Sequence, residues 1–100
     1  MSDDRLLFHP AAVVELEEAH AWYTERSSSA AERFLAEVEH GLAEIAAAPE
    51  RWPPYRIGTR RFLLRRFPYS LVYEIAEDRP RLLAIAHDRR RAAYWAVRLS

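Results

Sequence analysis

The chain has 100 residues, no cysteine, no lysine and only two glycines. Without cysteine there can be no disulfide and no thiolate metal site, and nothing demands an oxidising compartment. Without lysine, all fifteen cations are arginine, whose planar guanidinium suits two-pronged contact with phosphate or carboxylate better than an ammonium does. Long apolar runs are missing too. The acidic start "MSDDRLLFHP" holds no stretch that could serve as a signal peptide or a membrane span, so a cytoplasmic protein is expected.

What is present points to a globular protein. Half the residues are hydrophobic and 30% are charged, a balance that can form a core rather than remain disordered. A chain of this length is expected to make one domain, residues 1–100, burying roughly two thirds of its unfolded surface. The zero net charge hides a division. Residues 1–50 carry three arginines against eleven acids, a balance of −8, and residues 51–100 carry twelve against four, a balance of +8.

Spacing gives the elements in order. "RLLF", residues 5–8, reads as a short strand running into a helix with Pro10 in its first turn. Val13, Leu16, Ala19, His20 and Tyr23 then recur every three or four residues, giving a helix of about four turns with Glu15, Glu17, Glu18 and Glu25 mostly on its solvated side. Ser27, Ser28 and Ser29 supply a turn, and Ser29 with Glu32 fits a capping box. A second helix follows, placing Ala31, Phe34, Leu35, Val38, Leu42 and Ile45 on one face until Pro49 ends it. So short a loop makes the two helices an antiparallel hairpin.

The proline-rich connector 49–58 changes the period from helical to extended. Strands are expected at 60–65, 69–76 and 81–87, with turns at "RFP" and "EDRP", forming an antiparallel meander; the tail can add about two turns of helix. The fold class is therefore α+β: an N-terminal strand, a helical hairpin, a three-stranded meander and a short C-terminal helix. Arg60, Arg61, Arg65 and Arg66 on or beside the first meander strand imply that part of the sheet's far side is basic and open.

Four stretches, "FHPAAVVELEEAHAWY", "RFLAEVEHGLAEIAAAPERWP", "RRFLLRRFPYSLVYEI" and "AIAHDRRRAAYW", together resemble the RelE/ParE superfamily of type II toxin-antitoxin toxins from Phe8 to Arg98. The resemblance implies the same fold and a growth-inhibiting protein held in check by a small antitoxin. It also implies two mechanisms: poisoning of DNA gyrase, as in ParE, and ribosome-dependent cleavage of mRNA, as in RelE. A toxin-derived protein without toxicity is the third reading, since fold alone does not settle function.

Metal-free RNA cleavage needs a base for the 2′-hydroxyl, cations for the phosphate and an acid for the leaving oxygen. Arg65, His87, Arg89, Arg90 and Tyr94 are the residue types available. His87 would move protons, the arginines would hold phosphate, and Tyr94 would stack a base or donate a proton. RNases resembling RelE usually carry an arginine in the strand pattern Arg-Leu-Val-Tyr, and Ser70 stands there in "YSLVY". That substitution favours the gyrase branch, which needs no catalytic residue in the toxin. His9, His20 and His40 have no partners at ligand spacing, so neither metal nor other cofactor is expected. The expected partners are the antitoxin, whose acidic, disordered segment would fold on the toxin as a helix over the open basic side, and gyrase or ribosome-bound mRNA as target. The protein could act as a homo-oligomer or within a heterocomplex with the antitoxin.

Overall fold

The computed structural model of the chain describes residues 6–100. Helix α1 spans Pro10–Arg26 and begins on a proline, whose missing N–H falls among the donors that a helix start leaves unpaired. His9 caps it, its Nδ1 accepting from the Ala11 N–H at 3.0 Å. Burial, and then the guanidiniums of Arg81 and Arg98, hold the His9 pKa below its usual value, which keeps that nitrogen unprotonated and able to accept.

Helix α2 spans Ser28–Ala47. Its cap is Ser27 rather than the expected Ser29: the Ser27 Oγ accepts from the Ala30 N–H at 3.2 Å, while the Ser27 N–H donates to the Tyr23 carbonyl at 2.8 Å. One serine closes one helix and opens the next, so Ser29 and Glu32 lie inside α2 and form no capping box. The buried stripe of α2 runs through Phe34, Val38 and Ile45, as its spacing predicts. Gly41 lies on the same stripe, where a Cβ would stand 2.7 Å from Leu71 Cδ1 and 2.9 Å from Phe62 Cε1. Helix propensity favours alanine over glycine by about 1 kcal/mol, but overpacking costs about 1–3 kcal/mol. Gly41→Ala is therefore expected to destabilise by about 1 kcal/mol in a denaturant titration, whereas an uncrowded helical site would show a gain.

Four strands form one sheet in the order β1-β4-β3-β2. Strand β1, Leu7–Phe8, pairs parallel with β4, Arg79–His87. Strand β3, Tyr69–Ala76, pairs antiparallel with both β4 and β2, Arg60–Leu63. The N-terminal strand thus joins the meander's sheet at its far side; the expected residue 5 lies outside the described residues. Strand β2 stops two residues short of expectation, because the Arg65 N–H, and more weakly that of Arg66, turns away to the Glu37 carboxylate at 2.9 and 3.4 Å. Strand β4 starts two residues early. The turn before it needs only Glu77 and Asp78, both left-handed at φ 54° and 64°, the pairing that suits a two-residue hairpin.

The helices bury one face of the sheet, with Phe34, Val38 and Ile45 meeting Leu71, Tyr73, Leu82 and Ile85. With an arginine-lined hollow at one side, the far face is open only in part, as expected. Its centre is closed by Trp95, 1% exposed, packed on Val72, Leu83 and Ala84. The expected two-turn closing helix is a five-residue 3₁₀ helix, Tyr94–Arg98, entered through Ala93 in the left-handed region at φ 58°. Among the described residues no helix is long and apolar enough to cross a membrane.

Tyr73 ties the sheet to the connector, its hydroxyl donating to the Pro49 carbonyl. Burial pushes its pKa up to about 12. A phenol whose folded pKa lies above its unfolded value of about 10 contributes stability below pH 10 and loses it as pH rises through the folded pKa. Thermal melts are expected to drop between about pH 10 and pH 12, and Tyr73→Phe is expected to flatten that decline.

Candidate functional site

A cleft of about 380 Å³ opens on the far face of the sheet. Its floor is Ser70 and Val72 of β3 and Ala86 of β4; one wall is the segment 88–93, the other Arg61 and Tyr55. Alternation explains the floor, since residues two apart on a strand share a face. Ser70 is 4% exposed, and its hydroxyl makes no hydrogen bond among the described residues. Arg61, Arg90 and Arg91 line the cleft, and no carboxylate among the described residues lies within ion-pair distance of them. Arg61 holds its guanidinium 4.1 Å over the Tyr55 ring. The result is a cationic hollow with an uncommitted hydroxyl at its base.

Of the residues singled out from the sequence, His87, Arg90 and Tyr94 meet here, whereas Arg65 lines a separate hollow against α2. Arg89 is exposed beside the cleft in a turn, not at a helix start, so its charge opposes no helix dipole. The His87 Nδ1 accepts from the Arg89 N–H at 3.0 Å, and its ring packs edge-on against Tyr69 with centroids 5.0 Å apart. A neutral histidine accepting at Nδ1 carries its proton at Nε2. The nitrogen left for a ligand is then a donor rather than a base.

Tyr94 is held equally firmly. Its hydroxyl donates to Glu15 Oε2 at 2.8 Å, and the Arg90 guanidinium lies 3.8 Å over its ring. Burial first, then the hydrogen bond and charge of Glu15, raise its pKa far above the phenol range. A proton so retained is a poor choice for a general acid near neutral pH.

Glu15 is the residue the sequence reading placed wrongly. It is not on the solvated side of α1: its side chain is 12% exposed and also accepts from the Ile85 N–H at 3.0 Å and from Arg98 Nη2 at 2.9 Å. Ala12 and Ala19 are the two buried residues of α1, and Glu15 falls between them at spacings of three and four, on the same stripe. Glu37 of α2 has a similar double life, capping the backbone of the turn after β2. Glu74 of β3 is buried as well, paired with Arg81 at 2.7 Å. Among the described residues no three histidine, aspartate or glutamate side chains gather in a way that would hold a metal ion.

A helical hairpin laid across one face of a β1-β4-β3-β2 sheet, with an arginine-lined cleft on the other, defines a small α+β protein. The family model described as "ParE toxin of type II toxin-antitoxin system, parDE" matches residues 6–92, and the chain belongs to that family. Among solved structures it is similar in fold to a chain of the "Chromosomal ParDE TA system from P. aeruginosa". That likeness has a TM-score of 0.72 at 16% identity and covers 82% of this chain and 92% of the other. No curated protein matches the sequence significantly.

Proposed function

We propose that the chain inhibits growth by docking on an essential target, DNA gyrase, without cutting RNA, and that a cognate antitoxin neutralises it. The observation that carries this reading is the ParE family match over residues 6–92. The cleft supports it. Ser70 stands where an RNase resembling RelE carries a phosphate-holding arginine, the free nitrogen of His87 is a donor, and the Tyr94 proton is committed to Glu15. Such a surface can bind an anionic or acidic target, while neither the free nitrogen of His87 nor the Tyr94 hydroxyl is placed to take a proton.

The test uses two substrates. Incubated with gyrase and supercoiled plasmid, the purified protein is expected to accumulate covalent gyrase-DNA cleavage complexes; incubated with ribosome-bound mRNA, it is expected to leave the message intact. His87→Gln should keep growth inhibition within about threefold, whereas loss of a general acid or base costs about a hundredfold or more. Codon-positioned cuts in mRNA, abolished by that variant, would establish the RNase in its place. Normal growth on induction without antitoxin would leave only the non-toxic descendant.

A further inference from the structure

The turn that leads from the proline-rich connector into β2 holds an unfavourable backbone state. Ile57 sits in the left-handed region at φ 56° and ψ 44°, and Gly58 follows it at φ 73°. Glycine enters that region freely and asparagine readily, whereas a β-branched side chain there is an outlier that crowds its own backbone. The rest of the turn keeps it in place. The Tyr55 N–H donates to the Thr59 carbonyl at 2.7 Å, and the Arg56 carbonyl accepts from the Thr59 N–H at 3.1 Å and from its Oγ1 at 2.7 Å. Thr59 is 1% exposed and anchors the turn to the body of the protein.

Burial does not offset that strain. Ile57 is 58% exposed and joins neither core cluster, and a Cβ built on Gly58 would meet no atom within 4 Å. The turn therefore projects from the surface with an isoleucine at its tip. Its base is a wall of the cleft. Tyr55 lies against Trp95 with ring centroids 6.0 Å apart and carries the Arg61 guanidinium 4.1 Å over its own ring. Arg56 is exposed beside the tip, and neither it nor Arg61 has a carboxylate within ion-pair distance among the described residues.

We propose that Ile57 is the knob by which the chain grips its protein target, entering an apolar socket edged with carboxylates that pair with Arg56 and Arg61. Backbone strain persists where the surroundings impose it and gathers at sites that clamp a ligand. Here glycine or asparagine would relieve it inside the chain, so what isoleucine adds is an aliphatic group presented outward. The bonded turn leaves that group little freedom to lose on binding, which raises what one side chain contributes. The chemistry favours a protein over nucleic acid. Unpaired bases stack on aromatic rings, yet Ile57 has none and the Tyr55 ring is taken up by Arg61 and Trp95, while Asp88 in the cleft lining would repel a phosphodiester. The inference rests on the reading that the target is gyrase, and it names the side chain that holds it.

The experiment reads two quantities on the same full-length variants: the thermal midpoint, and binding to gyrase holoenzyme with and without DNA. Ile57→Gly should raise the midpoint by about 4–8 °C, because it removes one strained left-handed residue from a domain of this size. The same variant, and Ile57→Asn, should weaken gyrase binding by about thirtyfold or more, the mark of a hot spot. Gain of stability with loss of binding is the signature of a side chain kept for a partner. Ile57→Leu, which keeps an aliphatic group, should stay within about fivefold of wild type, and Val14→Asn, at an exposed apolar site on α1, within about threefold. Arg56→Glu should weaken binding by about tenfold. Full affinity in Ile57→Gly and Ile57→Asn overturns the knob and leaves the gyrase reading standing; a lowered midpoint in Ile57→Gly overturns the strain on which the knob stands. No binding of the wild-type chain to gyrase, with or without DNA, removes that reading and this inference together. Ile57-dependent binding that requires duplex DNA overturns the socket in favour of nucleic acid. Ile57→Gly that loses the cognate antitoxin but keeps gyrase assigns the tip to the antitoxin and overturns the inference as well.

Discussion

Glu15→Ala is expected to lower the unfolding free energy by about 3–5 kcal/mol, the cost of removing one partner from a buried ion pair. The carboxylate satisfies three donors from two distant parts of the chain: the Ile85 N–H, the Tyr94 hydroxyl and Arg98 Nη2. Its loss leaves Arg98, 14% exposed, with the Leu83 carbonyl at 2.9 Å and the Tyr94 ring at 5.1 Å but no carboxylate. In a domain of this size each kcal/mol shifts the midpoint by about 4–8 °C, so a fall of more than about 12 °C in thermal melts is expected. Removing the exposed pair Arg26–Glu25 at 3.6 Å should cost no more than about 1 kcal/mol, the upper end for surface pairs. Equal effects at the two sites would mean that the Glu15 cluster holds nothing together. A double-mutant cycle with Tyr94→Phe should give a coupling of about 0.5–3 kcal/mol, as expected for groups in one network.

Trp95→Ala is the second large effect, about 3–5 kcal/mol, the range for truncating a buried aromatic residue. Trp95 anchors the far-face cluster of Val72, Leu83 and Ala84, and the 3₁₀ helix that carries it is too short to persist alone. Hydrogen exchange should therefore quicken throughout the C-terminal segment 88–100, while α2, buried on the opposite face, keeps its protection. Uniform acceleration across both faces would show that the two clusters unfold as one unit. The same variant widens the cleft, whose lining includes Trp95, so loss of target binding is expected alongside the loss of stability.

These two residues also mark where sequence periodicity succeeds and where it stops. The stripe of Phe34, Val38 and Ile45 and the three meander strands were legible because each pattern is local. Glu15 was not, because a glutamate on an amphipathic helix usually faces water, and its three donors lie seventy or more residues away. Ser27 took the cap from Ser29 because only it sits where α1 ends and α2 begins, a choice that consecutive serines do not reveal. Part of the far side was expected to be basic and open because Arg60, Arg61, Arg65 and Arg66 stand on or beside β2; nothing local says that Trp95 folds back over Val72. Among the candidate residues, the convergence of His87, Arg90 and Tyr94 followed from their closeness in sequence. The separation of Arg65 depended on where β2 stops.

The parallel pairing of Leu7 and Phe8 with Arg81 and Leu82 has a consequence for synthesis. A ribosome releases the helical hairpin first, and its contacts are local, so it can form early. Strand β1, however, waits for β4, and Glu15 waits for Tyr94 and Arg98. Residues 7–15 therefore complete their contacts only after residue 98 has left the ribosome. A chain cut short before Tyr94 lacks part of the cleft wall and two of the three donors to Glu15, so it is expected to be much less stable than the full chain.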